Sequence, residues 1–322
     1  MKRTQTFLTK PDNMMEVLRQ KFGDRIRGDV PLSNYTTSRV GGKADALIVV
    51  ESSDDMANVL KTVWELGYPY VLLGGGSNVL VSDLGFRGLV IINRAKAIHF
   101  EMEGDMPCAC AESGASLSIV SRRAALRGLA GLEWAVGIPG TVGGAVFGNA
   151  GAHGSEVADV LALAEILHRD GTTEQWTADK FMFRYRSSLL KRHPGKFYVL
   201  SAKFGLLPSK SGLVKEKIDH FSEIRRQTQP PGASMGSMFK NPVGDYAGRL
   251  IEAAGMKGMV IGGAMISELH ANFFINRGNA SAMDIHRLIK MARIRVEEMF
   301  GIRLELEVEY LGDWNNLLDA DE

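Results

Sequence analysis

The chain has 322 residues, of which 45% are apolar and 23% charged, the composition of a globular protein with room for two or three cored domains. Its 38 Lys and Arg balance 37 Asp and Glu, which excludes an overall polyanion-binding character and leaves only a local basic groove. No apolar run is long enough to span a bilayer, and Met1–Lys10 lacks the apolar core of a signal peptide, so a soluble, cytoplasmic protein is expected.

In chain order, residues 12–22 predict a short amphipathic helix capping the first domain, with Met15, Leu18 and Phe22 at helical spacing. Ala44–Val50 reads as a buried strand, residues 53–66 as a helix closed by Gly67, and Tyr70–Leu73 as a second strand, together a βαβ unit. That strand runs into Gly74-Gly75-Gly76-Ser77-Asn78-Val79, a place where phosphates are cradled by backbone N–H groups, although a bland turn fits nearly as well. The glycines are consecutive and no Gly-Lys-Ser/Thr follows, so this is neither the dinucleotide fingerprint of a doubly wound sheet nor a P-loop. Gly88–Asn93 is a further strand.

From Ala97 the pattern changes to paired strands, 97–102 and 106–111, joined by Glu103-Gly104-Asp105, then a helix over 116–127. Cys108 and Cys110 read as reduced packing residues; alone they cannot form a zinc site, and no metal is expected. The stretch 137–154 holds seven glycines among Ile, Val, Phe and Ala rather than the Ser and Lys of a linker. It reads as a buried backbone that something approaches closely, a phosphate or a flat ring, against the alternative of two elements crossing tightly. Asp170-Gly171 predicts a hairpin turn between a strand from Val157 and one at 174–177. Residues 178–183 form a short helix or turn, and Phe197–Phe204 is a strand.

A helix over 211–227 stops before Pro230-Pro231, and a loop through Ser237 and Lys240 precedes a helix at 246–254. Strands follow around Val260 and at 272–276. Ser281, with Asp284 at the capping-box position, opens a long helix ended by Gly301. The last strand is expected at 303–311, with Glu305, Glu307 and Glu309 as an exposed acidic stripe, and the tail from Asp313 as loosely ordered. The whole is α+β.

Several segments together resemble one family, the UDP-N-acetylenolpyruvylglucosamine reductases: residues 74–81, 137–154, 183–188, 236–242, 270–276 and 304–312, in order, within a resemblance spanning about 30–312. The resemblance implies an FAD-binding fold of the vanillyl-alcohol-oxidase/PCMH type. Its expected layout is an N-terminal helical extension (1–29), two FAD-binding subdomains (30–95 and 96–208), a UDP-sugar domain (209–312) and a tail (313–322). It implies non-covalent FAD and NADPH as reductant of UDP-N-acetylglucosamine enolpyruvate, in a monomer without nucleic-acid or membrane partners. Too few residues separate Arg186 from the Phe197 strand for the family's extra tyrosine-bearing loop, so the chain resembles the shorter form.

Carried over residue by residue, Ser237 is the implied proton donor, Arg186 the group binding the substrate carboxylate and its developing charge, and Glu307 a neutral acid assisting it. The residues alone would also allow a turn serine, a salt-bridge arginine and a solvent-facing glutamate. The implied cofactor positions are Gly74, Gly75, Gly76, Ser77, Asn78 and Val79, then Gly137, Ile138, Pro139, Gly140, Val142, Gly143, Gly144, Asn149, Gly151 and Ala152. Arg226, Lys240 and Asn241, with Tyr185 nearby, are expected at the UDP moiety, Arg226 being equally suited to a helix-end cation. Other readings are a flavin oxidase of another sugar or lactone, and a catalytically silent UDP-sugar binder.

Overall fold

A computed structural model describes residues 13–314. Among the described residues, three sheets of four or five strands carry helices on a face, and three two-stranded sheets join them. The first has strand order Arg27–Pro31, Lys43–Val50, Phe86–Asn93, Tyr70–Leu73; the outer Arg27–Pro31 pairs antiparallel and the others are parallel. Helix Ser53–Leu66 crosses between its parallel strands. Ser52 caps that helix, accepting from Asp55 N at 3.1 Å, and Gly67 ends it in the left-handed conformation. Met56, Val59, Leu60 and Val63 lie buried against Ala46, Ile48, Leu89 and Ile91. Met14 and Leu18 of helix Met14–Phe22 are in the same core. The part of the predicted helix at Asp12 lies outside the described residues.

The second sheet is five antiparallel strands in the order Thr173–Thr177, Leu161–His168, Phe197–Gly205, Met106–Glu112, Ile98–Glu103. The Asp170-Gly171 hairpin forms as expected. Helices Leu117–Ala125 and Val142–Gly148 share its core with Trp134, Phe181 and Phe204. Cys108 and Cys110 are both buried and form no disulfide.

The third sheet runs Ala233–Ser237, Phe273–Asn276, Ala264–Ile266, Val260–Ile261, all antiparallel. Helix Ala282–Phe300 covers it, opened by the Ser281–Asp284 capping box and ended by Gly301 at φ +66°. Its apolar stripe, Ile285, Leu288, Ile289, Ala292 and Val296, packs on Phe274 and Ile266 with helix Ala247–Ala253. Among the described residues no helix is long and apolar enough to cross a membrane.

Four expectations are corrected. Arg27–Pro31 is a strand that the sequence reading did not contain, held by its ladder to Lys43–Leu47. Within the glycine stretch, Val142–Gly148 is helical: Thr141 caps it, and Val142, Ala145 and Val146 bury their side chains. The strand expected over 303–311 shortens to Glu309–Leu311, preceded by a single bridge from Leu306 to Phe239. Trp314 is buried in the third core and Asp313 N donates to the Gly85 carbonyl, so the chain is packed to the last described residue; 315–322 lie outside.

The third lobe is bolted to the first. Glu309–Leu311 pairs in parallel with Val79–Val81, the strand that follows the Gly74–Asn78 loop. Thr37 Oγ1 donates to the Ser234 carbonyl at 2.7 Å, and Asn276 Nδ2 to the Ser38 carbonyl at 2.9 Å. Asp83 accepts from the amides of Ala282 and Met283 at the start of the long helix.

Candidate active site

The three lobes enclose one continuous cleft of about 2800 Å³. Pockets for one small ligand run to about 300–1000 Å³, and this cleft is larger.

One wall is made by the two glycine clusters, which the fold brings face to face. A Cβ on Gly75 would lie 3.5 Å from the Gly140 Cα, and Ser77 Oγ donates to the Pro139 carbonyl at 3.3 Å. Gly76 sits at φ +61° against the Tyr35 carbonyl, where a Cβ would approach to 1.9 Å, so only glycine fits. Among the described residues the N–H groups of Gly75, Gly76, Ser77 and Asn78 have no protein acceptor. A row of free amides on a backbone stripped of side chains is a cradle for phosphate. Gly74, Val79, Gly137, Ile138, Gly143, Gly144, Gly151 and Ala152 line the same cleft.

Two expected cofactor positions stand elsewhere. The side chain of Val142 is wholly inside the second core. Asn149 is fully buried and ends its helix in the left-handed conformation; its amide bridges the Arg184 carbonyl and the Ala158 N–H. Val142 N and Gly143 N are also spent internally, on the carbonyls of Ala115 and Ser113 at 2.8 Å each.

Arg186, Ser237 and Glu307 all line the cleft. Arg186 stands on a tight turn closed by reciprocal Arg184–Ser187 backbone hydrogen bonds, and takes a positive φ of +52°. Its Nη2 donates to the Gly151 carbonyl at 2.9 Å, and its Nε lies 2.9 Å from Glu307 Oε1. Glu307 is largely enclosed, unlike its neighbours Glu305 and Glu309, so the expected exposed stripe is broken at this residue. Burial pushes its carboxyl above the usual carboxylate range; Arg186 first, then Lys191 and Lys240, pull the other way without cancelling it. Ser237 ends its strand just past a register irregularity at Ser234–Ser237, with Gly236 at φ +75°. Its hydroxyl has no partner among the described residues, so it is not spent on a turn.

Of the residues expected at the UDP moiety, only Lys240 lines the cleft; its Nζ lies 2.6 Å from Glu305 Oε1. Asn241 caps the next helix through the Ala247 N–H, and its own N–H donates to the hydroxyl of half-exposed Tyr185. Arg226 points to solvent, 73% exposed, and pairs with Glu223 one helical turn earlier. Its neighbour Arg225 faces the cleft instead. Arg225 lines the cleft against Gly137, where a Cβ would come within 3.0 Å of its Nε, and among the described residues no acidic group pairs with it. Burial alone lowers its pKa. The periodicity could have found it: Val214, Ile218, Phe221 and Arg225 share a helix face, and Arg226 does not.

A glycine-walled phosphate cradle between two α+β lobes, faced by an Arg–Glu pair that spans the second and third lobes and by a serine of the third, is the site of an FAD-binding oxidoreductase. The comparisons agree. Residues 44–177 match the FAD binding domain family, and 227–311 match the C-terminal domain of UDP-N-acetylenolpyruvoylglucosamine reductase. The chain is 45% identical to the UDP-N-acetylenolpyruvoylglucosamine reductase of Rubrobacter xylanophilus, over 91% of this chain and 98% of that one. It is 38% identical to the Bacillus subtilis reductase, over 94% and 99%. The crystal structure of the Thermus caldophilus reductase superposes with a TM-score of 0.75 at 36% identity, covering 89% of this chain and 99% of that one. The chain belongs to the UDP-N-acetylenolpyruvoylglucosamine reductase family.

Proposed function

We propose that the chain reduces the enolpyruvyl double bond of UDP-N-acetylglucosamine enolpyruvate to give UDP-N-acetylmuramate, with NADPH as reductant and FAD held in the glycine-walled cleft. FAD, when bound, relays hydride from NADPH to the vinyl carbon of the enol ether. The residues around the cleft supply the rest.

Gly75, Gly76 and Ser77 hold the dinucleotide phosphates through their amides, and the Gly137–Gly140 loop closes on them from the other side. Arg186 binds the substrate carboxylate, where negative charge gathers as hydride arrives. Glu307, whose carboxyl burial raises above the usual range, faces the same oxygens and in its protonated form donates a hydrogen bond to them. Ser237 Oγ gives its proton to the carbon next to that carboxylate; its hydroxyl is free to do so. Arg225 and Lys240 receive the diphosphate of the UDP group. The observation that carries this reading is the enclosed Arg186–Glu307 pair opening onto the cleft that also takes Ser237 and both glycine loops.

The test is an anaerobic absorbance trace of purified, FAD-loaded protein. Addition of NADPH should bleach the flavin, and addition of the enolpyruvyl UDP-sugar should restore its colour. A flavin that bleaches and stays bleached overturns the substrate assignment. A protein that takes up no FAD overturns the cofactor site.

A further inference from the structure

Asn78 ends the phosphate-cradle loop, but its side chain does not face that cradle's ligand. Nδ2 donates to the Glu307 carbonyl oxygen at 3.1 Å, and the Asn78 carbonyl accepts from the Glu309 N–H at 3.0 Å. From there the chains run on as the parallel pair of Val79–Val81 with Glu309–Leu311. The peptide of Glu307 is thus gripped from two sides. Its N–H donates to the Met238 carbonyl, one residue from Ser237, at 3.0 Å, and its carbonyl is held by Asn78. The carboxylate then meets Arg186. Residues 303–308 form no regular strand, so few other backbone bonds define where Glu307 stands: the Leu306–Phe239 bridge and the Lys240 N–H on the Glu305 carbonyl are the nearest.

We infer that Asn78 is a positioning residue for Glu307, through which the cofactor loop sets the place of the acid in the third lobe. The loop amides at 75–77 face ligand and the Asn78 amide faces protein, so one short segment has two separate duties. A phosphate bound on the first part fixes the backbone of Asn78, and the two hydrogen bonds pass that constraint to the segment 307–309. The coupling is reciprocal: whatever holds Glu307 in place also favours the phosphate-bound loop. An acid misplaced by an ångström loses much of its effect on a reaction that depends on orientation. This inference rests on the acid role of Glu307 proposed above.

The experiment is a double-mutant cycle on the FAD-loaded enzyme, with Asn78→Ala, Glu307→Gln and the double variant. Rapid-mixing absorbance follows the two half-reactions separately. Asn78→Ala should keep FAD, since the loop amides are untouched, and should bleach with NADPH at the wild-type rate. Its reoxidation by the enolpyruvyl UDP-sugar should slow about tenfold, the effect of one hydrogen bond to an active group. In the Glu307→Gln background the same change should cost less than twofold, because the residue it positions is already disabled. Asn78→Gln, which keeps an amide donor, should recover part of the rate.

An equal loss in both backgrounds overturns the positioning role while leaving Glu307 as the acid. Loss of FAD, or equal slowing of both half-reactions, makes Asn78 a cofactor residue and overturns it too. A Glu307→Gln enzyme with the wild-type reoxidation rate removes the acid itself, and with it both proposals.

Discussion

Arg186 and Glu307 approach to 2.9 Å across the boundary between the second and third lobes. Neither lobe alone can build this pair. The arginine stands on a strained turn of one, and the glutamate on an irregular segment of the other, tied to the first lobe through Asn78. Removing the guanidinium leaves the enclosed Glu307 without its partner and, in the proposed mechanism, the substrate carboxylate without its donor. Arg186→Ala is expected to slow flavin reoxidation by about 100- to 1000-fold, as loss of an oxyanion donor does. Reduction by NADPH should change far less. Single-turnover kinetics of the two half-reactions check this.

Glu307 carries a carboxyl raised by burial. A raised pKa leaves the neutral acid present at pH values below it and removes that acid as the pH rises through it. The reoxidation rate should therefore fall on the alkaline side with an apparent pKa above the ordinary carboxylate range. Glu307→Gln should be slower and should lack that limb. A limb that survives the substitution belongs to another group.

Ser237→Ala should load FAD and bleach with NADPH as the wild type does, yet reoxidise at least about 100-fold more slowly, the scale of a lost general acid. A solvent-deuterium effect on reoxidation, large in the wild type, checks the same proton. Full turnover in the variant would assign the proton to a different donor.

The two neighbouring arginines separate cleanly. Arg225→Gln removes an unpaired cation from the cleft wall, and KM for the UDP-sugar should rise about 10- to 100-fold, the value of charged hydrogen bonds to a diphosphate. Arg226→Gln removes a solvent-facing pair with Glu223 and should leave KM within about twofold. Steady-state kinetics on the two variants decide between them.

Gly76→Ala should be damaging for a reason unrelated to charge. The added Cβ would collide with the Tyr35 carbonyl at 1.9 Å, and the left-handed backbone alone costs an alanine about 1–2 kcal/mol. Reduced FAD retention and a melting point several degrees lower are expected. Gly212→Ala, outside the cleft and with no neighbouring atom within 4 Å of the added Cβ, is the control and should keep the flavin.

Local signals in the sequence predicted those elements that local chemistry determines. Ser281, Asp284 and Gly301 delimit the long helix, Gly67 ends the first crossing helix, and Asp170-Gly171 makes its hairpin. The helix Val142–Gly148 was hidden because its glycines weigh against helix, while the Thr141 cap and the packing of Val142 and Val146 on the second sheet decide for it. Arg27–Pro31 shows no alternation and becomes a strand through its ladder to Lys43–Leu47. Nothing local in the sequence singles out Arg186, Ser237 and Glu307; only the resemblance to a family does. Alternation placed Glu307 in an exposed stripe, and what encloses it is an arginine more than a hundred positions away on another lobe. Arg225 was within reach of helical periodicity, which the nomination of Arg226 did not use.

The parallel pairing of Val79–Val81 with Glu309–Leu311 also bears on how the molecule is made. The ribosome delivers the phosphate-cradle loop in the first quarter of synthesis, yet the strand that anchors its far end emerges only after the whole third lobe. The paired residues Val79 and Glu309 lie 230 positions apart, and contacts of that kind form slowly because the intervening loop must close first. The cradle is therefore expected to reach its finished shape only after residue 311 has been made, so a nascent chain cut short of the last strand should retain little flavin.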